Sequence, residues 1–194
     1  MDRNIRQVRS IASEFNTREA EDGLYIEGYF SVFNTIYELW TGATESVAQG
    51  AFTNTLGGDI RALIDHETRL VLGRNKAGTL ELREDSHGLW GKIRINPNDV
   101  DAMNLYERVK RGDVDQCSFG FEIIKEDTEI REDGTIHWTI REVKLYEVSV
   151  VTFPAYEETS VSARKEQYEE IQKRQNEKWR IGMLNRLRGE KHGT

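Results

Sequence analysis

Between residues 24 and 153 the chain runs through short segments in which apolar and polar residues alternate, most of them closed by a residue that favours turns. A period of two fits strands with one buried face and does not fit a bundle of helices. LYIEGYFSVF (24–33) is rich in aromatic and β-branched residues and ends at Asn34. TLELRED (79–85) and LWGKIRIN (89–96) alternate on either side of Ser86-His87-Gly88, the pattern of a hairpin. CSFGFEIIKE (117–126) reads as a further strand. TIHWTIREV (135–143) and KLYEVSVVTF (144–153) read as two more, after a turn at Glu132-Asp133-Gly134. Two helices are expected between strands. One is short, around SVAQGAFTNTL (46–56). The other is NDVDAMNLYERVKRG (98–112), with Asn98 or Asp99 as cap, a partial apolar face at Val100, Met103 or Asn104, Leu105 and Val109, and Gly112 at its end. The expected fold is mainly β with helices (α+β): a curved sheet or a β-barrel carrying helical inserts.

The composition shifts near residue 157, beyond which Glu, Lys, Arg and Gln dominate. This predicts a folded domain over 1–156 and a charged helical tail over 157–194. A thin apolar stripe on the tail, Tyr168, Ile171, Trp179, Met183 and Leu187, suits either a helix packed loosely on the domain or a tether that binds a partner. With 37% hydrophobic residues in 194, the chain supplies one modest core. No apolar run approaches a membrane span, and the charged N-terminus lacks the apolar centre of a signal peptide, so the chain reads as cytoplasmic. Its single cysteine, Cys117, allows no internal disulfide and no paired-cysteine zinc site. A net charge of −7 argues against non-specific binding to duplex nucleic acid. No cofactor or metal is called for.

Four histidines are available for chemistry: His66, His87, His137 and His192. His192 lies in the charged C-terminus, His87 in a hairpin turn, and His137 in a strand where exposure explains it. His66 follows the apolar run IRALI (60–64) and stands between Asp65 and Glu67, a setting that orients an imidazole and raises its basicity. Asp65, His66 and Glu67 do not converge on a metal, because neighbouring strand residues face opposite ways. Ser118 lies in Gln116-Cys117-Ser118-Phe119-Gly120-Phe121. A glycine between two phenylalanines marks a bulge or the close approach of another backbone, such as a substrate added as a strand. The plain alternative is a serine on the polar face of a strand. The sequence around Ser118 is not a GxSxG elbow, so an α/β-hydrolase has no support. Glu147 stands in an otherwise apolar strand. It either faces the core and needs a partner such as a histidine N–H, or faces solvent while Tyr146, Val148 and Val150 face inward.

These strings, taken in order, resemble the prohead maturation proteases of tailed phages, of the HK97 type, and more distantly the herpesvirus capsid assembly proteases. The resemblance is carried by Gly28-Tyr29-Phe30-Ser31-Val32-Phe33-Asn34, by Glu45 with Gly50-Ala51-Phe52, by Ala62-Leu63-Ile64-Asp65-His66-Glu67 and by Val71-Leu72-Gly73-Arg74. It continues through Gly78-Thr79-Leu80-Glu81-Leu82, Gly88-Leu89, Gly112-Asp113-Val114, Ser118-Phe119-Gly120-Phe121 and Glu147-Val148-Ser149-Val150-Val151 with Pro154-Ala155-Tyr156. It implies a herpesvirus-protease type of fold, with His66 as base, Ser118 as nucleophile and Glu147 as third member of a triad. By analogy with the herpesvirus enzymes, the backbone N–H groups of Ala155 and Tyr156 would bind the oxyanion. The implied function is a serine endopeptidase acting in the host cytoplasm, inside the immature capsid. Its implied substrates are the scaffolding segment of the major capsid protein and itself, with a self-cleavage site in the C-terminal helix and self-association as a further expectation. Two rivals are a non-catalytic capsid assembly protein on the same scaffold and a cytoplasmic serine hydrolase with a small-molecule substrate.

Overall fold

A computed structural model describes residues 7–12, 15–153 and 158–189. The chain divides into two compact units, Met1–Tyr156 and Glu157–Thr194. In chain order the first unit contains β1 (Gln7–Ala12), β2 (Asn16–Ala20), β3 (Gly23–Val32), β4 (Tyr37–Trp40), β5 (Ala43–Val47), β6 (Arg61–Ile64), β7 (Glu67–Arg74), β8 (Leu80–Glu84), β9 (Gly88–Ile95), α1 (Val100–Arg111), β10 (Gln116–Ile130) and β11 (Ile136–Val151). The described residues of the second unit form the helix α2 (Glu158–Gly189). On α2, Trp179, Ile181, Met183 and Leu184 are exposed.

The strands form two sheets rather than a closed barrel. The smaller has the order β2-β3-β9-β8 and is antiparallel throughout. The larger has seven strands. Its path is β1-β10-β11-β5-β4, and β6 with β7 branches from β11. The branch exists because β11 is one strand of sixteen residues, not the two strands expected over 135–143 and 144–153. Its first half lies parallel to β5, with Ile136 opposite Ala43, and its second half parallel to β6, with Val148 opposite Ala62. Register shifts at Gly120/Phe121, Ile123/Lys125 and Lys125/Glu126 bend the long β10–β11 hairpin, so one continuous strand serves two neighbours. The turn at its tip is the expected one. Gly134 has φ +82°, and Asp133 Oδ1 accepts from the Thr135 N–H and hydroxyl.

The core draws on both sheets. Ile26, Phe30, Leu89 and Ile93 come from the smaller sheet, and Phe119, Phe121, Val148 and Val150 from the larger. Phe52 joins them, its ring centroid 5.5 Å from that of Phe119. Helix α1 matches expectation at both ends. Asp99 accepts from the N–H groups of Asp101 and Ala102, and Gly112 closes the helix with φ +84°. Its buried face is Ala102, Leu105, Tyr106 and Val109, while Val100 is 74% exposed. The expected helix over 46–56 is absent. Residues there make successive i→i+3 bonds, such as Thr53 N–H to Gly50 O and Thr55 N–H to Phe52 O. The Glu84 carboxylate takes the N–H groups of Gly50 and Phe52, and Gly50 has φ +93°, so no helical ladder propagates.

Gly91 lies opposite Gly28 in the β3–β9 ladder. A Cβ on Gly91 would come within 2.6 Å of Phe30 Cε2 and 2.9 Å of Leu82 Cδ2. Gly91→Ala is therefore expected to lower stability by about 1–3 kcal/mol through overpacking. A denaturant titration checks this as a lower midpoint at unchanged slope, and an unmoved midpoint would mean that the Phe30 ring repacks freely.

Candidate active site

Alternation along β10 and β11 sorts their side chains onto two faces. Cys117 pairs with Val150 and Phe119 with Val148, and all four belong to the core. Ser118 pairs with Ser149 and Gly120 with Glu147, so Ser118, Ser149 and Glu147 share the opposite face. On its other edge β10 is paired with β1, and Ser10 stands opposite Ser118. Ser118 is fully buried, and its Oγ donates to the carbonyl oxygen of Arg9 at 3.0 Å. The register shift next to Gly120 is the bulge its sequence implies.

Glu147 is only 2% exposed, which removes the reading in which it faces solvent. Its Oε1 lies 2.8 Å from His66 Nδ1, and its Oε2 accepts from the Ser149 hydroxyl at 2.6 Å. A carboxylate can only accept, so the bond to Oε1 places a proton on His66 Nδ1. In the neutral ring this leaves the lone pair on Nε2. That nitrogen is buried and has no hydrogen-bond partner among the described residues.

His66 is not at the end of a strand, as the apolar run before it implies, but in the turn beyond. Ile64 pairs with Glu67, so Asp65 and His66 are the two central residues of the β6–β7 hairpin. Both have positive φ, +47° and +61°, as a type I′ turn demands. Non-glycine residues held there cost about 1–3 kcal/mol each and persist where the surroundings over-determine them. Asp65 supplies that determination. Its N–H donates to Val150 O at 3.0 Å, and its Oδ1 accepts from Thr152 N–H at 2.7 Å. The turn is thus laced to the end of β11, the strand that carries Glu147. The carboxylates flanking His66 in sequence do not orient the ring. Asp65 is engaged with Thr152, and Glu67 lies 3.6 Å from Arg69.

Across the sheet, Ser118, Ser149 and Leu63 are successive register partners on β10, β11 and β6, and His66 follows just past the end of β6. The structure therefore brings His66 and Glu147 into contact and sets Ser118 one strand from Glu147 on the same face. An open groove lined by Leu63, Thr68, Glu122 and Tyr146 reaches Glu147 along its edge. Ala155 and Tyr156 lie outside the described residues, as does His192. His137 is held between the Thr44 and Ser46 hydroxyls at 2.8 and 2.9 Å, and His87 packs edge-on against Tyr29. Sequence reasoning missed Ser149. Its signal was available, because residues two apart on one strand share a face and a buried carboxylate needs a second donor.

The family model described as "Caudovirus prohead serine protease" matches residues 12–174. The prohead protease of Enterobacteria phage HK97 is 31% identical over 153 residues, which are 77% of this chain and 63% of that protein. The chain thus spans under two thirds of that relative's length. The solved structure of the bacteriophage T4 capsid assembly protease aligns with a TM-score of 0.49 at 10% identity, covering 75% of this chain and 96% of the other. With a family model covering residues 12–174, well over half of its length, the chain belongs to the prohead serine proteases of tailed phages.

Proposed function

We propose that this protein is a serine endopeptidase of phage prohead maturation that cuts peptide bonds through an acyl-enzyme, with Ser118 as nucleophile, His66 as base and Glu147 as the group that holds the base. The observation that carries this reading is the His66–Glu147 pair. A buried carboxylate grips Nδ1 at 2.8 Å and leaves Nε2 as a buried nitrogen without a described partner. A serine shares the carboxylate's face one strand away. In this reading His66 Nε2 takes the Ser118 proton as Oγ adds to the scissile carbonyl carbon, and Glu147 stabilises the imidazolium that forms. The proton then passes to the leaving nitrogen. Water, deprotonated by His66, releases the acyl group and restores Ser118. The Ser149 hydroxyl keeps the second carboxylate oxygen in place.

Family membership supports the wider reading. The substrates are the scaffolding segment of the major capsid protein and the protease itself, and the site of action is the interior of the immature capsid in the host cytoplasm. Residues 1–156 act as the protease and residues 157–194 as a tether or a segment lost on self-cleavage. One observation favours a second reading, a non-catalytic capsid assembly protein. Ser118 is fully buried, and its hydroxyl is engaged by Arg9 O.

Two experiments separate these readings. Wild type co-expressed with capsid protein is expected to cleave it and to shorten itself, whereas Ser118→Ala does neither. Equal products from both on a gel would leave Ser118 without a role as nucleophile. Glu147→Gln is expected to lower kcat by roughly 10²–10⁴-fold with the fold retained, as when a triad carboxylate loses its charge. An unchanged kcat in a folded Glu147→Gln protein would mean that another group holds His66.

A further inference from the structure

Gln7, Val8 and Arg9 are buried in succession although they precede the stretch matched by the family model. Arg9 is the reason. Its Nε donates to Glu45 Oε1 at 2.5 Å and its Nη2 to Oε2 at 3.0 Å, the two-pronged contact of a guanidinium with a carboxylate. Glu45 is fully buried in the middle of the larger sheet, between its register partners Tyr37 on β4 and Trp138 on β11. The Arg9 guanidinium carbon lies 5.7 Å from the centroid of the Phe121 ring. A buried carboxylate with aromatic neighbours is a receptor for a guanidinium or an ammonium group, since an unanswered charge at such depth is costly.

The main chain of the same residue lies at the candidate nucleophile. Ser118 Oγ donates to Arg9 O at 3.0 Å, and β1 runs antiparallel to β10 in register from Gln7 opposite Phe121 to Ala12 opposite Gln116. One residue thus puts its carbonyl at the serine and its side chain in an acidic socket. That is the relation between the residue whose carbonyl a peptidase attacks and the pocket that selects it. Because β11 takes the other edge of β10, a peptide added as a strand beside Ser118 has only the edge that β1 now fills.

We propose that the edge of β10 beside Ser118 is the substrate-strand site, that Glu45 selects an arginine or lysine on the acyl side of the bond cut, and that β1 occupies this site as the chain's own substrate. This inference rests on the serine peptidase reading. The bond presented is Arg9–Ser10. Ser118 Oγ adds to the Arg9 carbonyl carbon and its proton passes to His66. Breaking the C–N bond sends that proton to the Ser10 nitrogen, and water then frees the Arg9 carboxylate. Until it is cut or displaced, β1 bars other peptides from the site.

The test uses the full chain and peptides that span Gln-Val-Arg-Ser-Ile-Ala, with Lys or Gln in place of Arg in parallel. Mass spectrometry is expected to find the cut after Arg, and kcat/KM to fall at least roughly 100-fold for the Gln peptide. Glu45→Gln is expected to erase most of that preference. Ser118-dependent cleavage of capsid protein together with equal rates on the Arg and Gln peptides would overturn the subsite and leave the peptidase reading intact. Failure of wild type to cut any peptide or capsid protein would instead count against the peptidase reading. The subsite is then decided by binding of the labelled peptides to full-length Ser118→Ala, where they compete with tethered β1. At least tenfold tighter binding of the Arg peptide supports it, and equal or undetectable binding overturns it.

Discussion

The antiparallel ladder between β10 and β11 is the constraint on which the rest of the molecule depends. It sets Cys117 and Phe119 against Val150 and Val148 on the core side, and Ser118 and Gly120 against Ser149 and Glu147 on the other. A slip of β11 by one residue would turn its faces over, driving Val148 and Val150 out of the core and Glu147 and Ser149 into it. The same pairing that stabilises the core thus fixes which polar groups share a face. Every other part of the candidate site is positioned from this ladder. Strand β6 lies along the second half of β11, and the His66 turn is tied back to the strand's end by Asp65.

Among the described residues the larger sheet buries two carboxylates, Glu147 and Glu45, and each is answered. Glu147 meets an imidazole and a hydroxyl, whereas Glu45 meets a guanidinium from a strand near the start of the chain. Burying such a group without partners would cost more than most single contacts contribute, so the partners are conditions of the fold. In both cases the partners span long stretches of sequence. His66 and Arg9 can be fully placed only once the sheet has closed.

Much of the architecture was legible from local pattern. The β8–β9 hairpin follows from alternation on either side of Ser86-His87-Gly88, and the β10–β11 turn from Glu132-Asp133-Gly134. Helix α1 follows from Asp99 and Gly112. What escaped depends on distant partners. Strand β1 reads as a charged terminus because Arg9 looks solvated until Glu45 is brought to it. Residues 46–56 read as helix because nothing local announces that Glu84 will take the N–H groups of Gly50 and Phe52. The division of β11 into two strands failed because the bends lie in its register with β10, not in its own composition. Ser118, His66 and Glu147 were visible as candidates, each with a plain alternative. For Glu147 the alternative fell to burial alone. Ser149 was passed over because its role becomes visible only once Glu147, two residues before it on the same face, is taken as buried and in need of a second donor.

Cys117 gives the packing of the two sheets a chemical consequence. Its side chain is fully buried, and its Sγ donates to Tyr29 O at 3.1 Å, joining the strand of Ser118 to a strand of the other sheet. As the chain's single thiol, it can react with an alkylating reagent only when those sheets part. Its modification rate would therefore clock the opening of the core immediately behind Ser118, giving the protein an internal reporter of breathing one residue from the proposed nucleophile.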